Sequence, residues 1–181
     1  MSQLKVNSIV PVNGLPSGAT GGGIIQCVQT VKKNTFSESL SINTFSGDTG
    51  LNVSITPQSN SNKVLIMASV VCSLAQDNDV IAIALFKGGS KLTTAAGDSS
   101  GNRVTVGSAA FADSFGGEIR TIPYNFIDSP ATTSATTYGI RLGYFGGGSS
   151  STVHMNRTES DDNSAFRVRG ISSITAFEIS V

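Results

Sequence analysis

The chain has 181 residues, enough for one domain with a short appendage and for a self-supporting core. Charged residues make up only 13%, and 12 Lys plus Arg balance 12 Asp plus Glu, so the formal net charge is zero. No basic excess is present to neutralise phosphates, which excludes an electrostatic footprint for nucleic acid or an anionic membrane; solubility rests on Ser, Thr, Asn and Gly, a surface suited to subunits packed against copies or partners.

Residues 1–22 differ in character from everything after them. They carry Pro11, Pro16 and four glycines around a short apolar tract, "SIVPV". That tract is too short, and too broken by Pro11, for the apolar core of a signal peptide. The glycines of "GATGGG" precede a strand-like run rather than a helix, and no Gly-Lys-Ser/Thr follows, so they read as a joint and not as a phosphate cradle. Extended at about 3.3 Å per residue, the first fifteen residues reach roughly 50 Å, far enough to lie on a neighbour. The expected organisation is an arm and joint over 1–22 and a head over 23–181. Leu4, Val6, Ile9, Val10, Pro11 and Val12 are the candidate docking residues; the alternative is a disordered terminus.

The head reads as strands throughout, and no window sustains a helical apolar stripe. "GIIQCVQTVKK" opens it. "LNVSITP" alternates, with Leu51, Val53 and Ile55 on one face. In "KVLIMASVVCSLA", Val64, Ile66, Val70, Cys72 and Leu74 share one face and Leu65, Met67 and Val71 the other, so this strand is expected to be covered on both sides. "DND" turns the chain into "VIAIALFKG", again apolar on both faces, and the two are expected to form a central hairpin. A loop over 95–102 leads to a weaker strand over 103–113. "EIRTIPYNFID" aligns Ile122, Tyr124 and Phe126, and Pro123 demotes it to an edge or a bulge. "TTYGIRLGYFG" aligns Tyr138, Ile140, Leu142 and Tyr144, with Gly139, Arg141 and Gly143 opposite. A short strand "TVHMNRT" and a polar loop follow. "ISSITAFEISV" aligns Phe177, Ile179 and Val181, and a strand so placed suits the middle of a sheet. No run approaches 18 apolar residues; the longest, 64–75, has 12. Eight to ten short strands with regular turn signals define an all-β, antiparallel jelly-roll-type sandwich rather than βαβ units.

Little of this carries chemistry. Cys27 and Cys72 lack metal-ligand spacing and read as buried free thiols, with pairing between adjacent strands left open. His154, the single histidine, has Ser149–Ser151 and Asp161 near it in sequence but no nucleophile elbow. Asp77, Asp79, Asp161 and Asp162 sit in turn segments without the spacing of a calcium loop. No metal, cofactor or catalytic residue is assigned. In "FRVRG", Arg167 and Arg169 share a strand face. They read either as charges guarding an exposed edge or as inter-subunit salt bridges to Glu118, Glu178 or Asp162.

Three longer phrases are familiar together: "LKVNSIVPVNGLPSGATGGGIIQCVQTVK", "FIDSPATTSATTYGIRLG" and "VHMNRTESDDNSAFRVRGISSITAFEI". They resemble segments of small virion structural proteins of tailed phages, especially marine and cyanobacterial ones. The resemblance covers most of the chain through short motifs, and none of them carries a catalytic role. It implies a virion-located fibre or spike-like protein with an outward jelly-roll head similar to trimeric tumour-necrosis-factor or complement C1q heads. Its arm would meet other virion proteins, and its head would meet a host-surface glycan or protein. The alternative is a purely architectural capsid decoration or tail adaptor. A homotrimer would bury one apolar face of each head. Leu65, Met67, Val71, Ile81, Ile83, Leu85, Tyr138 and Tyr144 are the candidate packing residues. A hydrolase would need a carboxylate pair in a groove, of which the sequence gives no sign. The expected exposed contacts are the loops over 95–102 and 159–165.

Overall fold

A computed structural model describes residues 23–75, 78–112 and 118–181; the arm residues Leu4, Val6, Ile9, Val10, Pro11 and Val12, and Asp77 of the turn, lie outside them. Among the described residues, twelve strands form two antiparallel layers of six. The strands are β1 (Ile24–Lys32), β2 (Phe36–Ser41), β3 (Thr44–Phe45), β4 (Asn52–Ile55), β5 (Lys63–Leu74) and β6 (Asp79–Lys87). Then come β7 (Ser90–Lys91), β8 (Ser108–Ala112), β9 (Arg120–Asp128), β10 (Thr136–Phe145), β11 (Ser150–Met155) and β12 (Ser172–Ile179). A single 3₁₀ turn, Thr93–Ala95, is the one helical element among the described residues. The fold is the antiparallel sandwich that the alternating patterns call for.

The first layer runs β1–β12–β5, where β5 also pairs with β9 and, over its last residues, with β11, which carries β2. The second is built on β10 and β6, flanked by β3, β4, β7 and β8. The alternating faces named above meet between the layers. Leu51, Val53, Ile55, Val64, Ile66, Val70, Cys72, Ile122, Tyr138, Ile140, Leu142 and Tyr144 are all buried in one core. The C-terminal strand β12 is indeed mid-sheet, between β1 and β5. Pro123 sits opposite Ser69 on β9, whose other side has no strand among the described residues, so its missing N–H interrupts no ladder.

Two expectations fail on how strands are assigned to layers, and a third on the extent of a strand. β5 and β6 form no hairpin: β5 pairs with β9, β11 and β12, and β6 with β7, β8 and β10, so the two consecutive strands lie in different layers. β5 is covered on one face only, because its second face points away from the core and leaves Met67 48% exposed. Of the strand expected over 103–113, Ser108–Ala112 is strand and residues 103–107 are loop, while Asp113 lies outside the described residues.

The layers share two poles. At the first, Ile24 stands beside Ile179, Lys63 beside Ile179, and Val64 beside Asp128. At the second, Lys32 stands beside Ser172, and Cys72 beside both Met155 and Arg120. The nine residues of β1 separate the poles by about 26 Å at 3.3 Å per residue.

Candidate functional site

Two regions stand out: a polar cluster at the second pole, and the outer face of the first layer. The polar cluster begins at Asn156, which leaves β11 with φ 62°. Its amide donates to the carbonyls of Lys32 and Asn34 at 2.8 and 3.0 Å, and its side-chain oxygen accepts from Ser172 Oγ at 2.7 Å. One buried asparagine thus ties the end of β1, the end of β11 and the start of β12. The loop over 157–171 projects beyond this tie. Arg169 grips Asp161 through two nitrogens at 2.9 and 2.6 Å, Arg157 lies 3.8 Å from the same carboxylate, and Arg167 lies 3.5 Å from Asp162. Arg157 also donates to the carbonyls of Thr158 and Glu159. Held by this brace, Phe166 is 83% exposed.

The "FRVRG" segment is therefore not a strand; it is loop with one isolated bridge, Arg157 to Arg169. Both arginines are paired within their own chain, Arg167 with Asp162 and Arg169 with Asp161. Glu118 pairs with Arg120, and Glu178 is buried, accepting from the Gln58 N–H and the Asn62 amide at 2.6 Å each. The other expected contact loop, 95–102, follows the 3₁₀ turn along the flank. There Tyr124 Oη donates to Ala95 O at 2.5 Å, and the Gly97 N–H donates to Val106 O at 3.1 Å. A hollow of about 490 Å³ opens among Thr93, Asp98, Arg103 and Thr105.

The outer face of β1, β12, β5 and β9 follows from their register. Cys27, Phe177, Leu65 and Ile127 form one row across the four strands; Gln29, Thr175, Met67 and Asn125 form the next; Val31, Ser173, Ser69 and Pro123 the third; Val71 and Thr121 the start of a fourth. No residue in these rows bears a formal charge. On the same strand parity, Lys63 and Lys33 stand only at the two ends. Ile127, Met67 and Val31 are 51, 48 and 43% exposed. A shallow hollow of about 290 Å³ lies among Met67, Ser69, Thr175 and Phe177. Cys27 is thus exposed and not buried as expected, because it faces outward on β1 at the margin of the layer; Cys72 is buried, and both are free. Burial pushes the Cys72 thiol up to about 12, which keeps it protonated and inert.

Of the eight expected packing residues, the structure puts Leu65, Met67 and Val71 on this open face. Ile81, Ile83, Leu85, Tyr138 and Tyr144 are at most 1% exposed, consumed by the chain's own core, and have no surface to give a second copy. Both tyrosines are anchored there: Tyr138 Oη donates to Asp128 at 2.6 Å, beside Lys87 at 2.7 Å, and Tyr144 Oη donates to Asp79 at 2.9 Å. Burial first, and then the carboxylate, raises each phenol above its ordinary pKa. The second layer's outer face is dressed by its own side chains. Phe45 meets Phe86 and Phe145 edge-on at 6.0 and 5.4 Å, Lys91 lies over Phe45, and Arg141 covers Phe86 and pairs with Asp48 at 2.7 Å.

His154 is buried on β11 opposite Ser37, whose Oγ lies 2.8 Å from Nδ1. Among the described residues no carboxylate hydrogen-bonds the ring, and no three His, Cys, Asp or Glu side chains converge on a metal-sized site. Sequence reasoning missed Asn156, whose role is set by its backbone turn, and the Ser37–His154 pair, which joins residues 117 apart.

Among the described residues, the fold and its surfaces define a β-sandwich with one open sheet face whose central rows carry no formal charge and one braced loop pole. No family model and no curated protein matches the chain. Among solved structures, it is similar to that of infectious bursal disease virus, Gt strain, at 12% identity and TM-score 0.43, over 94% of this chain and 44% of that one. It is also similar to T=1 particles derived from infectious bursal virus, at 12% identity and TM-score 0.41, over 94% and 42%. The chain thus spans less than half the length of these structures.

Proposed function

We propose that the protein is a virion structural subunit of fibre or spike type, with residues 1–22 docking on the particle and a trimeric β-head directed outward. The observation that carries this reading is the polarity of the head. Residues 1–22 join the described structure at Gly23, beside the pole where Ile24 meets Ile179. The Arg–Asp-braced loop with Phe166 lies at the opposite pole, about 26 Å away along β1. A subunit held by its first residues at one end and presenting an exposed aromatic at the other has the layout of an attached, outward-facing part. The resemblance of its sequence phrases to phage virion proteins favours the same assignment.

Deletion of residues 1–16 tests it. The truncated protein is expected to fold, with unchanged circular dichroism and melting, and to be absent from purified particles. Incorporation at the level of the full chain would refute the docking role.

A further inference from the structure

We infer that the outer face of the β1–β12–β5–β9 layer is where copies of this chain pack on one another. This rests on the trimer part of the proposed function and not on its virion part. Three features favour a second copy over a foreign partner. The rows carry no formal charge, so two copies meet without like-charge repulsion and without stripping water from ions. Their polar groups, among them Gln29, Thr175, Asn125 and Ser69, are hydroxyls and amides, each able both to donate and to accept, so the face can satisfy its own hydrogen bonds when it meets itself. A face selected for a foreign cation or anion would carry the opposite sign, and this one carries neither.

The area is also adequate. Four strands about 4.8 Å apart, with three full rows and a half row of outward positions about 6.7 Å apart, give a patch of roughly 450 Å² in plan. Side-chain relief and the flanking Ile24 and Ile171, 61 and 58% exposed, bring the accessible surface toward the ~800 Å² per partner of a stable association. On the second layer Lys91 and Arg141 lie over Phe45 and Phe86, and Phe111 on β8 is its exposed aromatic among the described residues, at 55%.

The test uses the full chain at tens of micromolar. Light scattering is expected to give three times 18.6 kDa. Met67→Glu is expected to give monomers with native circular dichroism, and Phe111→Glu, on the other layer, to leave the oligomer intact. Cys27 provides a readout that needs no variant: a thiol reagent should label it at least ten-fold more slowly in the wild-type assembly than in Met67→Glu or in a dilute, dissociated sample. An oligomer that survives Met67→Glu with Cys27 labelled fast overturns this face and spares the trimer. A monomer overturns both, and Cys27 then tells the occupant: protected, the chain's own residues 1–22 cover the face; reactive, the face awaits a different protein. Neither outcome touches particle incorporation, which the truncation measures separately.

Discussion

At the scale of single residues, buried polar atoms help secure a core built mainly of apolar side chains. Glu178 is fully buried on β12, and its Oε1 accepts the Gln58 N–H and the Asn62 amide at 2.6 Å each. Glu178→Ala leaves both donors unpaired and is expected to cost about 2–4 kcal/mol in urea unfolding, against a smaller loss for Glu178→Gln, which keeps an acceptor in place. His154 makes a second prediction. Burial above all, with Arg157 assisting and Asp161 opposing, holds its pKa down to about 4. In the unfolded chain a histidine titrates near pH 6.5. Between those values the unfolded state binds the extra proton, so the stability held above pH 6.5 is lost as pH falls toward 4. The loss is on the order of 2–3 kcal/mol from this residue. The melting temperature of the wild type should therefore fall more steeply from pH 7 to 4.5 than that of His154→Gln; parallel curves would show that the ring does not carry this dependence.

At the scale of elements, β10 shows how one strand serves two environments. Tyr138, Ile140, Leu142 and Tyr144 fill the core, while Gly143 on the other side makes room for aromatic rings. A Cβ there would stand 2.7 Å from Phe145 and 2.9 Å from Phe45, both ring atoms with neighbours behind them. Gly143→Ala should cost about 1–3 kcal/mol through forced ring displacement and should change the near-ultraviolet aromatic signal. A stability change below about 0.5 kcal/mol would mean that the ring cluster yields freely. Inward faces such as that of β10 were legible in the sequence because alternation records burial directly. β2 (Phe36–Ser41) was not, since "FSESLS" buries only Leu40 fully and its serines carry no strand signal. The β5–β6 hairpin failed for a different reason. Turn chemistry in "DND" reports that the chain reverses, but not which layer receives the next strand. β12 hid its inward face as well: the bulky set Phe177, Ile179 and Val181 points outward, while Ile174, Ala176 and Glu178 point in, and a buried carboxylate is invisible until its partners from residues 58 and 62 are in place.

At the scale of the whole molecule, the end at Gly23, the outer face centred on Met67 and the loop around Phe166 have distinct centres, so they can be perturbed one at a time. The loop pole decides between an adhesive head and a purely architectural one. Phe166 makes almost no contact that folding needs, since it is 83% exposed on a loop whose shape is set by the Arg157, Arg167 and Arg169 pairs with Asp161 and Asp162. A large, exposed apolar ring is the kind of anchor that contributes most to binding energy when a partner covers it. Phe166→Ser should accordingly leave stability within about 0.5 kcal/mol of the wild type and leave the oligomeric mass unchanged. If the head touches the host, purified wild-type head will compete with particle adsorption, and Phe166→Ser will compete at least ten-fold less well. Opening the brace with Asp161→Asn should lower competition too, because the ring then binds from a looser loop and the cost of ordering it falls on the encounter. A head that fails to compete at saturating concentration assigns the protein to capsid decoration or tail adaptation instead, with the lateral face as its working surface.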